Sequence, residues 1–221
     1  MSEVALVTGF SGYGGRGRNP SAEVAKALEG KAIAGLRVVG RVLPVSYAKL
    51  QPLLQDLFEE LKPRVVVSIG LWPGDPTIRL ERVGINVADF EIPDNDGAFL
   101  TDAPVNASGA TAALATLPLR AIEADLLAAG IPARLSATAG TFLCNATLYT
   151  IVALAQTMRP LALAGFVHVP YLPEQVAELL EATRTKRELE LHQRADLASM
   201  DLGTMTRALE IAIAAAGKAL H

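Results

Sequence analysis

Short runs of branched aliphatic residues recur along this chain, and each is followed by a segment with helical spacing. Residues 64–69 read Arg-Val-Val-Val-Ser-Ile. The run is short and β-branched, which suits a strand covered on both faces. Residues 4–8, 36–43 and 161–169 read as strands, and residues 131–137, flanked by Gly130 and Pro132, as another buried one. Between them, Asn19-Pro20-Ser21 supplies a cap and a proline at a first helical position, so a helix should run to about Glu29. Pro44-Val45-Ser46 opens a helix to about Lys62, in which Pro52 marks a late start or a kink. Residues 118–129 form a helix stopped by Gly130, residues 146–157 and 174–183 form two more, and residues 200–220 close the chain as an alanine-rich amphipathic helix. The alternation runs without compositional break or repeat. It predicts one α/β domain over residues 1–221, in three layers, with a central mostly parallel or mixed sheet and helices on both faces. Strand order does not follow from it. Half of the residues are hydrophobic (51%), enough for a sizeable core.

Charge narrows the class of partner. A formal net charge of −3 leaves no electrostatic footprint for nucleic acid or an anionic membrane. No apolar stretch approaches the roughly eighteen residues needed to span a bilayer, and the N-terminus MSEVALVTGF lacks a basic signal region. A single cysteine excludes an internal disulfide and fits a reducing compartment. The expectation is a cytoplasmic protein with neither membrane nor nucleic-acid partner.

Several constellations compete for the chemistry. Gly12, Gly14 and Gly17 form a literal G-x-G-x-x-G after the first strand. The helix begins only after Asn19-Pro20, however, and the next strand ends in Val42-Leu43-Pro44 with no acidic residue for a ribose, so a dinucleotide site is disfavoured. His168, His192 and His221 are scattered without ligand spacing, so no metal site is expected. No G-x-S-x-G elbow occurs. Residues 184–196 carry mixed charge and read as a solvated helix face or a connection.

Cys144 remains. It falls between a strand and an apolar helix, where unpaired N–H groups and the helix dipole favour a thiolate. His168 ends a buried strand, where α/β sheets present functional groups. Residues 78–87 alternate as a strand, which sets Glu81 on a mainly non-polar face beside Arg79, Val83 and Ile85. Cysteine, imidazole and carboxylate are the parts of a thiol nucleophile with its base and orienting group. Each also has an ordinary reading: Cys144 as a small core residue, His168 as a hydrogen-bonded core histidine, and Glu81 as an edge-strand ion pair with Arg79 or Arg82.

Four blocks in order resemble pyroglutamyl peptidase type I, the pyrrolidone-carboxylate peptidases. They are Thr8-Gly9-Phe10 with Gly14-Gly15 and Asn19-Pro20-Ser21; Glu81-Arg82-Val83 with Asn86 and Ile92-Pro93-Asp94-Asn95; Ser136 through Asn145 (SATAGTFLCN); and Gly165 through Tyr171 (GFVHVPY) with Gln175. The resemblance implies a cysteine peptidase that removes N-terminal pyroglutamate (5-oxoproline) from peptides. By it, the nucleophile falls on Cys144, the base on His168 and the acidic partner on Glu81. Pocket-lining residues fall on Phe10, Tyr13 and Phe142, with Leu71, Ile92 and Leu143 beside them. It implies no metal or organic cofactor, peptides with N-terminal pyroglutamate as substrates, and a homo-oligomer, a tetramer.

The chain departs from the family pattern in two loops. Gly12 and Tyr13 stand where the family has proline and phenylalanine. After the third strand, Gly70-Leu71-Trp72-Pro73-Gly74-Asp75 puts Asp75 at the family's arginine. An anion there would oppose a thiolate and raise a histidine's pKa, so Asp75→Arg should raise turnover unless Arg79 swings in to compensate. This departure sustains the alternative reading of a repurposed member that binds a lactam or N-terminal peptide group without cleaving it.

Overall fold

The structure, a computed structural model, describes residues 3–186 and 197–220. The chain runs β1 (Val4–Phe10), α1 (Pro20–Leu28), β2 (Ala32–Ile33), β3 (Leu36–Leu43), α2 (Tyr47–Leu61), β4 (Val65–Leu71), β5 (Ile78–Glu81), β6 (Val83–Ile85) and β7 (Ala112–Leu114). It continues through α3 (Leu119–Ala128), β8 (Ala133–Ser136), α4 (Leu143–Thr157), β9 (Leu163–Val169), α5 (Pro173–Lys186) and α6 (Leu202–Lys218). Seven strands form one mixed sheet in the order β2-β3-β1-β4-β9-β5-β8. β3, β1, β4 and β9 are parallel, while β5 runs antiparallel to β9 and β2 antiparallel to β3.

Strand alternation explains the layers. Ala5 and Val7 of β1, with Val65, Val67 and Ile69 of β4, pack against α1, α3 and α6. Leu6 and Val66, which point the other way, pack against α2 and α4. Both faces of the central strands are therefore covered, as their unbroken apolar runs require. Close approach at the β1–α1 contact needs Gly9, where a Cβ would lie 2.1 Å from the Ser21 carbonyl oxygen. Asn19 caps α1 as the sequence suggests, its side chain accepting from the Ser21 N–H.

Several sequence expectations shift. The strand expected over residues 78–87 breaks at Arg82: β5 stays in the main sheet, while β6 leaves it to pair with β7 across α4. β8 is an edge strand in which Ser136 alone is buried, so it lacks the two-sided cover expected of it. α2 starts at Tyr47 and runs through Pro52, so the proline does not delay its start. Residues 184–186 extend α5; residues 187–196 and His221 lie outside the described residues, and with them His192. Among the described residues, no helix is long and apolar enough to cross a membrane.

Candidate active site

Cys144 is the second residue of α4, and Phe142 is its N-cap. No side chain caps this helix; the Ala146 N–H reaches the Phe142 carbonyl at 3.2 Å. Helix geometry leaves the N–H groups of Leu143, Cys144 and Asn145 without intrahelical acceptors. Asn145 pins this end in place. Its Oδ1 accepts from the Ile85 N–H at 2.8 Å, and its Nδ2 donates to the carbonyls of Ile85 and Val87, both at 2.9 Å. The β6 excursion thus holds the helix that carries the thiol.

The sulfur lies on β4. A Cβ on Gly70 would sit 2.8 Å from Cys144 Sγ and 2.9 Å from the Phe166 ring, so only glycine fits there. Gly70 pairs in register with His168 of β9. His168 is in turn opposite Arg79 on the antiparallel β5, and Glu81 is one diagonal step away on the same face. This register brings His168 Nδ1 to 2.9 Å from Glu81 Oε1. Phe166 and Trp72 flank the imidazole at 4.8 and 5.0 Å between ring centroids.

Arg79 is buried behind this pair. Its Nε donates to Glu81 Oε1 at 3.0 Å, and its Nη2 donates to Ser136 Oγ at 2.7 Å and to the Thr138 carbonyl at 2.8 Å. The guanidinium lies 3.8 Å from the Trp72 ring centroid. The ordinary ion pair foreseen for Glu81 therefore exists, but together with the imidazole contact rather than in place of it.

Asp75 is buried and turned away from the cleft. It accepts from the Thr77 N–H and hydroxyl and pairs with Arg134, and it lies 3.5 Å from Arg79 Nη1. Burial pushes its carboxyl up, but the Thr77 and Arg134 contacts outweigh that and hold it below the usual range. The compensation by Arg79 that the sequence left open is present, and Arg134 joins it.

The resting thiol also differs from expectation. Burial pushes Cys144 up to about 12, with the Glu81 charge adding to the rise and a backbone hydrogen bond opposing it. Desolvation therefore outweighs the helix terminus in the empty site. Burial pulls His168 below its ordinary value despite its contact with Glu81. Glu81, pushed up by burial, is brought below the usual carboxylate range by His168 and Arg79. Both shifts favour the uncharged forms of the thiol and the imidazole.

Cys144 lies where two spaces meet. One is a small apolar pocket of about 30 Å³ lined by Phe10, Tyr13, Leu71, Phe142 and Leu143, all named from the sequence. Val45 and Asn19 complete it; both stand in turn and cap signals, which carry no mark of a binding role. The other is a cleft of about 430 Å³ that His168 and Trp72 also line. Ile92 belongs to this cleft and not to the small pocket, and it is 40% exposed. Tyr13 faces both spaces, its ring 6.2 Å from Phe142. Burial and the neighbouring Cys144 push its hydroxyl up to about 12. Trp72 was not foreseen as part of the site, and Arg79 was foreseen only as a partner for Glu81 or Asp75, because their places beside His168 depend on strand order. Among the described residues, no group of three or more His, Cys, Asp or Glu side chains could hold a metal ion.

The chain matches the pyroglutamyl peptidase family over residues 3–219. It is 41% identical to the pyrrolidone-carboxylate peptidase of Pyrococcus furiosus over 173 residues, covering 78% of this chain and 83% of that protein. It is also 41% identical to the pyrrolidone-carboxylate peptidase of Enterobacter sp. (strain 638), covering 96% of this chain and 91% of the other. The solved pyrrolidone carboxyl peptidase of Thermococcus litoralis superposes with a TM-score of 0.90 at 36% identity, covering 100% of this chain and 95% of that one.

Proposed function

The chain belongs to the pyroglutamyl peptidase family, and from that premise we propose that it cleaves N-terminal pyroglutamate from peptides, with Cys144 as nucleophile, His168 as general base and then acid, and Glu81 orienting the imidazole. One observation carries this reading. Cys144 stands between a small apolar pocket and a larger cleft, and His168, held by Glu81, lines only the larger one. A lactam ring has no charged amine, so apolar walls suit it. The departing peptide needs a proton, and the imidazole is on the side where it would lie.

The steps use these groups in turn. Glu81 on Nδ1 leaves Nε2 of the neutral imidazole free to take the thiol proton as sulfur attacks the carbonyl joining pyroglutamate to the next residue. The uncapped N–H groups at the start of α4 are the natural donors to the resulting oxyanion. Collapse breaks the C–N bond, and His168 returns its proton to the leaving amine. Water then attacks the thioester with His168 again as base, releasing pyroglutamate and the free thiol.

The test is release of a fluorophore from a pyroglutamyl amide by the wild type and by Cys144→Ala. Turnover lost in the variant supports the reading. No turnover by a folded wild type refutes it in favour of binding without cleavage. A homotetramer rests on the family resemblance and a cytoplasmic location on the single cysteine; light scattering that gave a monomer would refute the first.

A further inference from the structure

The cleft on the departing side of Cys144 is acidic. Asp89 and Glu91 line it, and no lysine or arginine does. Neither carboxylate makes a hydrogen bond or ion pair among the described residues; Asp89 is held through its backbone, which exchanges contacts with Thr141 in the loop before the cysteine helix. Two arginines lie near the residues that line it. Arg79 lies behind Trp72 and is bound to Glu81, and Arg16 lies over the rings of Tyr13 and Tyr171. His168 and Cys144 line the same cleft, so a peptide attacked by the thiol lies against these carboxylates.

Resting on the peptidase reading above, we propose that Asp89 and Glu91 select peptides with a lysine or arginine in the first or second position after pyroglutamate. Apolar walls from Trp72 and Ile92 fit the aliphatic stem of such a side chain, and the two carboxylates meet its charged end. An acidic residue in the same place would meet like charge, and no lysine or arginine lines the cleft. The cleft is open, so the discrimination is screened by salt.

The experiment compares kcat/KM at low ionic strength for pyroglutamyl tripeptide amides that differ only in carrying Lys, Ala or Glu at each of those two positions. The expected order is Lys over Ala over Glu, with Lys and Glu at least about tenfold apart for charges a few ångströms from two carboxylates. Added salt should narrow the ratio, as should Asp89→Asn with Glu91→Gln and, with Asp89 kept, Glu91→Lys. Cleavage of all three at equal rates overturns this proposal and leaves the peptidase reading standing. So does a preference that survives loss of both carboxylates. Failure to cleave any of them overturns both.

Discussion

Cys144 has a buried environment on one side, the Glu81 charge beyond it, and only a helix terminus to favour its anion. That balance makes proton transfer to His168 part of the attack, with no resident thiolate. The imidazole must be neutral to act as base, and its pKa lies below the ordinary 6.5. The acid limb of kcat/KM should therefore fall below pH 6.5; a limb above 7 would contradict the downward shift of His168. Gly70 is the other residue on which the sulfur depends. Gly70→Ala would put a methyl 2.8 Å from Sγ and drive Cys144 off the strand. A misplacement of that size should lower kcat by about a hundredfold in a protein that still folds, and unchanged turnover would show that the sulfur's seat is not critical. The sequence singled out Cys144, His168 and Glu81 by their places at strand ends and a helix start, and the family resemblance, not spacing, supplied the roles proposed for them. The direction of the thiol's shift was not, since desolvation depends on what the tertiary fold brings near.

β5 and the loop before it carry the charges behind the imidazole. Asp75 and Arg79 bracket this segment: Asp75 ties it to Arg134 on the edge strand β8, and Arg79 reaches Glu81, Ser136 and Thr138. Asp75→Arg would set a guanidinium against two others in a buried place. Breaking a buried pair in this way costs about 3–5 kcal/mol, so the variant should unfold more readily and turn over more slowly; faster turnover would mean that Asp75 restrains the site. This reverses the outcome that sequence alone suggests. The charge of Asp75 was visible along the chain, but Arg134 lies 59 residues away and becomes its partner only through the parallel pairing of β5 with β8. The helix start at Pro20 was legible from its cap and proline, while the cysteine helix begins at Leu143, three residues before the expected 146, with no capping side chain to mark it; the break at Arg82 follows from Asn145 holding β6 to that helix.

For the whole molecule, a mixed sheet with both faces covered places the reactive groups where its parallel strands end. The class and layers were legible because the aliphatic runs lack polar alternation; strand order was not, since crossovers leave no local mark. Burial of the site also sets how the fold responds to acid. His168, Glu81 and Asp75 all have folded pKa values below their ordinary ones, so the unfolded chain binds more protons at each. Stability from His168 is present above about pH 6.5 and is lost as pH falls through its lower folded value. The carboxylates add their loss further down. The melting temperature should decline from pH 7 to pH 5 in the wild type and less steeply in His168→Phe, and parallel declines would remove His168 as the cause. The central claim is that Cys144 becomes acylated. Acid-quenched intact-mass measurement after mixing with a pyroglutamyl ester should find the protein heavier by one pyroglutamyl group, with the added mass mapping to the peptide that contains Cys144. Turnover with no adduct at any quench time, or an adduct that persists in Cys144→Ala, would contradict it.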